Sequence, residues 1–148
     1  MTKVAEAMVV DASVAAKWHL KDEEFAEQAL VLLDQFSEGD ITLYAPDQIR
    51  YEVPSAITLG TTSREPRLSK ELGLKAIEGF LSLGISLDNS DEIILNAYSL
   101  VHQYGIAIYD ALYLALAQKL SIPFITADFK LYKFVQDLPD VIWIGDYQ

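Results

Sequence analysis

The sequence predicts a single α/β domain with a mainly parallel central sheet flanked by helices, and three observations carry that prediction. Short apolar runs alternate with helix-period patterns from one end of the 148 residues to the other. No internal repeat, low-complexity segment or linker interrupts the alternation, and the length suits one ordinary domain over 1–148. Cysteine is absent, so the fold must rest on an apolar core rather than on disulfides or thiolate zinc sites.

The elements follow from local pattern. Ala7 to Val10 reads as a buried first strand ending at Asp11. Ser13 to Trp18 and Phe25 to Phe36 carry helical spacing, separated by the charged break Lys21-Asp22-Glu23-Glu24, with Gly39 as a stop. Ile41 to Tyr44 is a second strand. Pro46 suits a first helical turn, and Gln48, Ile49, Glu52, Val53, Ala56 and Ile57 continue that helix towards Gly60. Thr61 to Arg67 is a polar loop. Ser69 to Leu83 is helical, Ile85 to Leu87 is a short strand, and Asp91 and Glu92 load the first turn of a helix that Gly105 ends. Ala107 to Lys119 is the next helix, Phe124 to Thr126 a strand, a short helix follows Asp128, and Val141 to Ile144 is the last strand.

Composition narrows the chemistry. Two histidines far apart, His19 and His102, offer no nitrogen-rich zinc site, so any metal must be bound by oxygen. No apolar run approaches the roughly 18 residues of a membrane-spanning helix, and the first ten residues lack an export signal; a soluble, cytoplasmic protein is expected. The formal charge is −11, from eleven basic and twenty-two acidic side chains. A protein that grips nucleic acid usually shows a basic face. Carboxylates that bind divalent cations account for part of the excess, because the bound ions reverse the local field.

In open α/β sheets ligands bind beyond the carboxyl ends of the strands. Asp11 and Asp128 each follow an apolar strand and belong on that edge; each is either a helix cap or a ligand. Asp110 interrupts the apolar passage GIAIYDALYLALAQKL, where an ionised carboxylate is costly unless it caps the helix, is paired or holds a metal. Glu52 stands beside the buried stripe of its helix, either as a site residue or as a solvated partner of Arg50 or Lys70. Trp18 falls on the apolar side of its helix and reads as core, with His19 and the tyrosines likewise packing residues. Lys17, Arg64 and Arg67 are either surface charges or contacts to a phosphate backbone. Three or four carboxylates from distant segments suit Mg2+ or Mn2+, which favour oxygen ligands.

The segments VVDASVAAKW, PDQIRYEVPSAI, YGIAIYDALYLALAQKL and PFITADFKL together resemble the PIN-domain ribonucleases, in particular the VapC-like toxins of toxin–antitoxin pairs. The resemblance implies a PIN-like fold, catalytic acids at Asp11, Glu52, Asp110 and Asp128, and a Mg2+ or Mn2+ site formed by Asp11, Asp110 and Asp128. It further implies supporting hydroxyls at Ser13 and Thr126, hydrolysis of RNA, a homodimer and an antitoxin-like protein partner. The sequence departs from the family pattern after Glu52, where Pro54 is expected to kink or restart the helix and Ser55 replaces an asparagine. Two other readings stand beside it. A receiver-like acidic domain needs paired acids at the first strand, where this chain has one, and a PIN fold without catalysis would act through protein contacts alone.

Overall fold

The computed structural model describes residues 6–148; residues 1–5, part of the segment read for an export signal, lie outside the described residues. Glu6–Val10 forms β1, and its last three residues are buried because helices cover both faces of the sheet. The chain then forms α1 (Ala12–Ala15), a 3-10 turn (Ala16–Trp18) and α2 (Ala26–Ser37). β2 (Ile41–Pro46), α3 (Ile49–Thr62), α4 (Lys70–Leu81) and β3 (Ser86–Asp88) follow. The second half contains α5 (Asp91–Tyr104), α6 (Ile108–Leu120), β4 (Phe124–Thr126), α7 (Phe129–Val135), β5 (Val141–Trp143) and a final 3-10 turn (Ile144–Asp146).

The five strands lie in the order β3-β2-β1-β4-β5, and every pairing is parallel. The chain thus winds outwards from β1 to β3, then crosses to the other side of β1 for β4 and β5. This reversal opens a crevice at the carboxyl ends of β1 and β4. Val9 pairs with Phe124 and Val10 with Ile125, so the next residues, Asp11 and Thr126, stand level at the crevice.

Two local expectations are corrected. Pro46 does not open a helix: it ends β2, paired with Asp88 of β3, a position where a proline costs little once the ladder stops. Pro54 does not divide α3, which runs unbroken from Ile49 to Thr62. Pro54 is its sixth residue, so the ring forfeits a hydrogen bond only near the helix start. The expected loop from Thr61 is correspondingly shorter, since Thr61 and Thr62 finish α3.

The apolar passage singled out in the sequence is α6. It is buried over Ala111 and Tyr113 to Ala117 because it packs on β1, β2 and β4 and against α5. A helix covered on both sides reads as apolar nearly all round. Trp18 is buried, and its Nε1 donates to the Ala29 carbonyl at 2.8 Å, fastening the first 3-10 turn to α2. His19 lies half-buried with its edge towards Phe80. No helix among the described residues is long and apolar enough to cross a membrane.

Gly105 caps α5 with φ of 69°, and a Cβ built there would meet nothing within 4 Å. Its requirement is therefore conformational rather than steric. Gly105→Ala is expected to cost about 1–2 kcal/mol, and Gly105→Asn less, because asparagine tolerates the left-handed region. Urea denaturation measures both; equal losses from the two substitutions would contradict a purely conformational origin.

Candidate active site

Asp11 is the N-cap of α1 and lies almost wholly buried. Its Oδ1 accepts from the Val14 amide at 3.1 Å and from Ser13 Oγ at 2.5 Å, and its Oδ2 accepts from Thr126 Oγ1 at 2.5 Å. Both hydroxyls also work in the other direction. Ser13 Oγ accepts the Ala127 amide at 2.9 Å and Thr126 Oγ1 accepts the Asp128 amide at 3.1 Å. One knot of hydrogen bonds therefore joins the ends of β1 and β4 and fixes the backbone at Asp128.

Asp128 caps α7, its Oδ1 accepting from the Leu131 amide at 3.1 Å. The capping role anticipated for Asp11 and Asp128 is real, and Asp128, whose Oδ2 has no hydrogen-bond partner among the described residues, also lines a cleft. Asp110 is different. It is the third residue of α6, whose N-cap is Ala107, so it does not cap the helix. Among the described residues its carboxylate has no hydrogen-bond or ion-pair partner, and it lines the same cleft as Asp128.

Glu52 sits in the first turn of α3 and accepts from the Tyr113 hydroxyl at 3.2 Å. Neither Arg50 nor Lys70 pairs with it among the described residues. Tyr113 is one helical turn beyond Asp110 on α6 and stacks on Phe124, with ring centroids 6.3 Å apart. Reading Tyr113 only as core missed its hydroxyl; the Asp110–Tyr113 spacing of three was the available signal. Gln48, read from sequence only as a helix residue, donates to the Tyr109 carbonyl at 2.7 Å and fastens α3 to the start of α6.

The acids act on one another electrostatically. Burial pushes the Asp11 carboxyl up to about 7, against the pull of its hydrogen bonds, and the Asp110 charge adds to the rise. Burial raises Glu52 above the usual carboxylate range, with the Asp110 charge again adding. Asp110 is raised by burial and then by the Asp128 charge. Burial raises the Tyr113 phenol too, followed by the Glu52 and Asp11 charges.

The basic residues considered for phosphate contact are mostly engaged elsewhere. Lys17 is buried and pairs with Glu23 at 3.3 Å. Arg67 forms a two-pronged pair with Asp22 and also reaches Glu23. These bonds tie the loop after α3 to the loop before α2. Arg64 is exposed, with no ion pair among the described residues.

For a hard divalent cation the donor set fits in chemistry and charge. It consists of carboxylate oxygens alone, the ligand type that hard divalent cations favour. As the side chains lie, no three acidic or imidazole groups among the described residues are gathered at ligand spacing. Rotation of the unpartnered Asp110 and the free oxygen of Asp128 is the movement available to bring them together.

A parallel sheet with a buried Asp11 at its switch point and with Asp110 and Asp128 lining one cleft defines an acid-site α/β domain, and the match to a known family specifies which. Residues 8–135 match the PIN domain family model; the chain belongs to the PIN-domain family. It is similar to Ribonuclease VapC3 of Pyrobaculum aerophilum, 29% identical over 126 residues that cover 84% of this chain and 91% of that protein. The fold is similar to VapBC2 from Rickettsia felis, solved bound to a DNA fragment from their promoter, with TM-score 0.62, 14% identity and coverage of 93% of this chain and 96% of that one. It is also similar to VapC20 of Mycobacterium tuberculosis, described as a Sarcin-Ricin loop cleaving toxin. There the TM-score is 0.59, the identity 15% and the coverage 87% and 97%. A toxin–antitoxin complex from Klebsiella pneumoniae gives TM-score 0.58 at 18% identity, covering 91% of this chain and 95% of that one.

The raised Asp11 group makes the metal-free fold sensitive to pH in a defined direction. A carboxyl held near 7 in the folded chain and near the ordinary 3.9 in the unfolded one keeps its proton longer when folded. Its stabilisation is complete below about pH 4 and is lost as pH rises through about 7. In the presence of chelator, chemical denaturation is expected to show lower stability at pH 8 than at pH 5, on the order of 2–4 kcal/mol from this group. Asp11→Asn should flatten the difference; an unchanged pH profile in that variant would contradict the assignment.

Proposed function

We propose that the chain is a divalent-metal-dependent endoribonuclease that hydrolyses RNA phosphodiester bonds and serves as the toxin of a toxin–antitoxin pair. The single observation that carries the reading is the grouping of Asp11, Glu52 and Asp128 around Asp110, whose charge adds to the burial that raises Asp11 and Glu52 and which the Asp128 charge raises in turn. Family membership and the similarity to a ribonuclease VapC3 support it.

Asp11, Asp110 and Asp128 are the residues assigned to hold Mg2+ or Mn2+, with Glu52 assisting. When bound, such an ion supplies positive charge against the phosphate oxygens and makes water easier to deprotonate. The chain's own residues do the rest. Ser13 and Thr126 hold the Asp11 carboxylate in one orientation, and the Asp128 cap fixes that residue's backbone while leaving one oxygen free. Tyr113 orients Glu52, whose raised proton affinity suits it to take a proton from the attacking water. The water oxygen bonds to phosphorus, the bond to the leaving ribose oxygen breaks, and that oxygen gains a proton from solvent.

The reading extends to assembly. The protein acts in the cytoplasm as a homodimer, and an antitoxin-like partner silences it by presenting a basic segment to the acidic cleft. An arginine there satisfies carboxylates in a two-pronged fashion and competes with the cation. The −11 charge favours such a partner over long range, so association should slow as salt screens it.

The assay is cleavage of mixed RNA with Mn2+ or Mg2+, with and without chelator. Asp110→Asn and Asp128→Asn are each expected to lower cleavage by about a hundredfold or more, the loss of roughly 3 kcal/mol of transition-state stabilisation. Glu52→Gln should cost less. Saturating metal should also raise the melting temperature of the wild type and not of Asp110→Asn. RNA cleavage that survives chelation and these substitutions would refute the proposal.

A further inference from the structure

Helix α7 is only seven residues long, yet it presents three pairs at the i, i+4 spacing. Leu131 and Val135 are buried. Phe129 and Lys133 form a pair of their own, the ammonium 5.9 Å from the ring centroid, and Phe129 packs edge-on against Trp143 at 5.2 Å. Lys130 and Phe134 both line the cleft that holds Asp110 and Asp128. Their common spacing places them on one face of the helix.

This third pair has no structural task. Phe134 is 51% exposed, so its ring is not spent on the core. Lys130 is exposed and makes no ion pair among the described residues, although two carboxylates line the same cleft. The cleft measures about 410 Å3, within the range of small-ligand sites.

We propose that Lys130 and Phe134 form a nucleotide subsite beside the acids, in which one RNA base stacks on the Phe134 ring and the adjoining phosphate lies against the Lys130 ammonium. The inference rests on the ribonuclease reading and adds the residues that hold the substrate. A base plane and a phosphate separated by a ribose match an exposed ring and an unpaired ammonium one helical turn apart. The position beside Asp128 places the neighbouring phosphate of the same strand over the carboxylates. The subsite also answers the charge problem locally, since one cation held at the cleft attracts the phosphate where the global charge repels it. The neighbouring cleft of about 610 Å3, lined by Glu52, Tyr51 and Tyr109, has exposed rings but no lysine or arginine in its lining, and so lacks the phosphate-binding half.

The test uses the full chain and short labelled single-stranded oligoribonucleotides, intact or with one abasic position moved along the strand. Anisotropy reads binding in chelator, cleavage is followed with Mn2+, and thermal melts check that each variant folds. Phe134→Leu and Lys130→Met are each expected to weaken binding about tenfold, with the loss falling on KM more than on kcat. Phe134→Tyr should bind as the wild type does. An abasic residue at one position should cost the wild type as much as Phe134→Leu does, and cost that variant nothing further, a coupling that a merely structural role would not produce. If the wild type cleaves and Asp128→Asn does not, while both α7 variants bind intact and abasic strands like the wild type, the subsite is overturned and the ribonuclease reading stands. If the variants keep RNA affinity but lose an arginine-containing peptide, the cleft is a protein-docking groove and the proposal is equally overturned. A wild type that neither binds nor cleaves any strand with Mn2+ or Mg2+ removes the ribonuclease reading itself.

Discussion

A carboxylate buried at the end of the central strand is the constraint around which this molecule is arranged. Burying an acid is costly unless its oxygens are satisfied, and Asp11 meets that demand with two hydroxyls and a backbone amide drawn from both sides of the β1–β4 crevice. The hydroxyls in turn accept the Ala127 and Asp128 amides. The interaction that satisfies Asp11 therefore also determines where Asp128 stands. Ser13 and Thr126 hold the strand ends and the buried acid through the same bonds, so the two cannot be positioned separately.

Helix α6 shows how a core element can carry polar chemistry. It is buried against the sheet on one side and against α5 on the other, so polar atoms on it have few places to go. Asp110 and Tyr113 emerge at the end of the helix nearest the crevice, one turn apart. Tyr113 stays in the core through its ring and reaches Glu52 with its hydroxyl. This bond fastens α3 to α6 beside Pro54, whose ring falls near the helix start and leaves α3 unbroken.

The distribution of positive charge separates folding from function. Lys17 and Arg67 hold two surface loops together through Glu23 and Asp22, and Lys119 joins the end of α6 to Asp88 beside the start of α5. At the crevice, burial raises the proton affinities of Asp11, Glu52 and Asp110, and the neighbouring acid charges add to the rise.

The alternation of apolar runs and helical patterns was sufficient to indicate an α/β domain with a parallel sheet, because burial of both sheet faces is written directly into strand composition. The positions of Asp11 and Asp128 after strands placed them on one edge for the same reason. The conformations of Pro46 and Pro54 were not legible, since a proline suits a strand end as well as a helix start and only the pairing with Asp88 decides between them. Nor did the sequence separate Asp110 as a cap from Asp110 as a free carboxylate; the N-cap position of α6 falls on Ala107, which leaves Asp110 inside the first turn. Tyr113 looked like core because its ring is core, and its hydroxyl gained a role only when α3 was laid beside α6. Lys130 and Phe134 lie in the short helix expected after Asp128, with nothing in local pattern to single them out. The tertiary structure alone turned them towards the acids, because the burial of Leu131 and Val135 sets the rotation of α7.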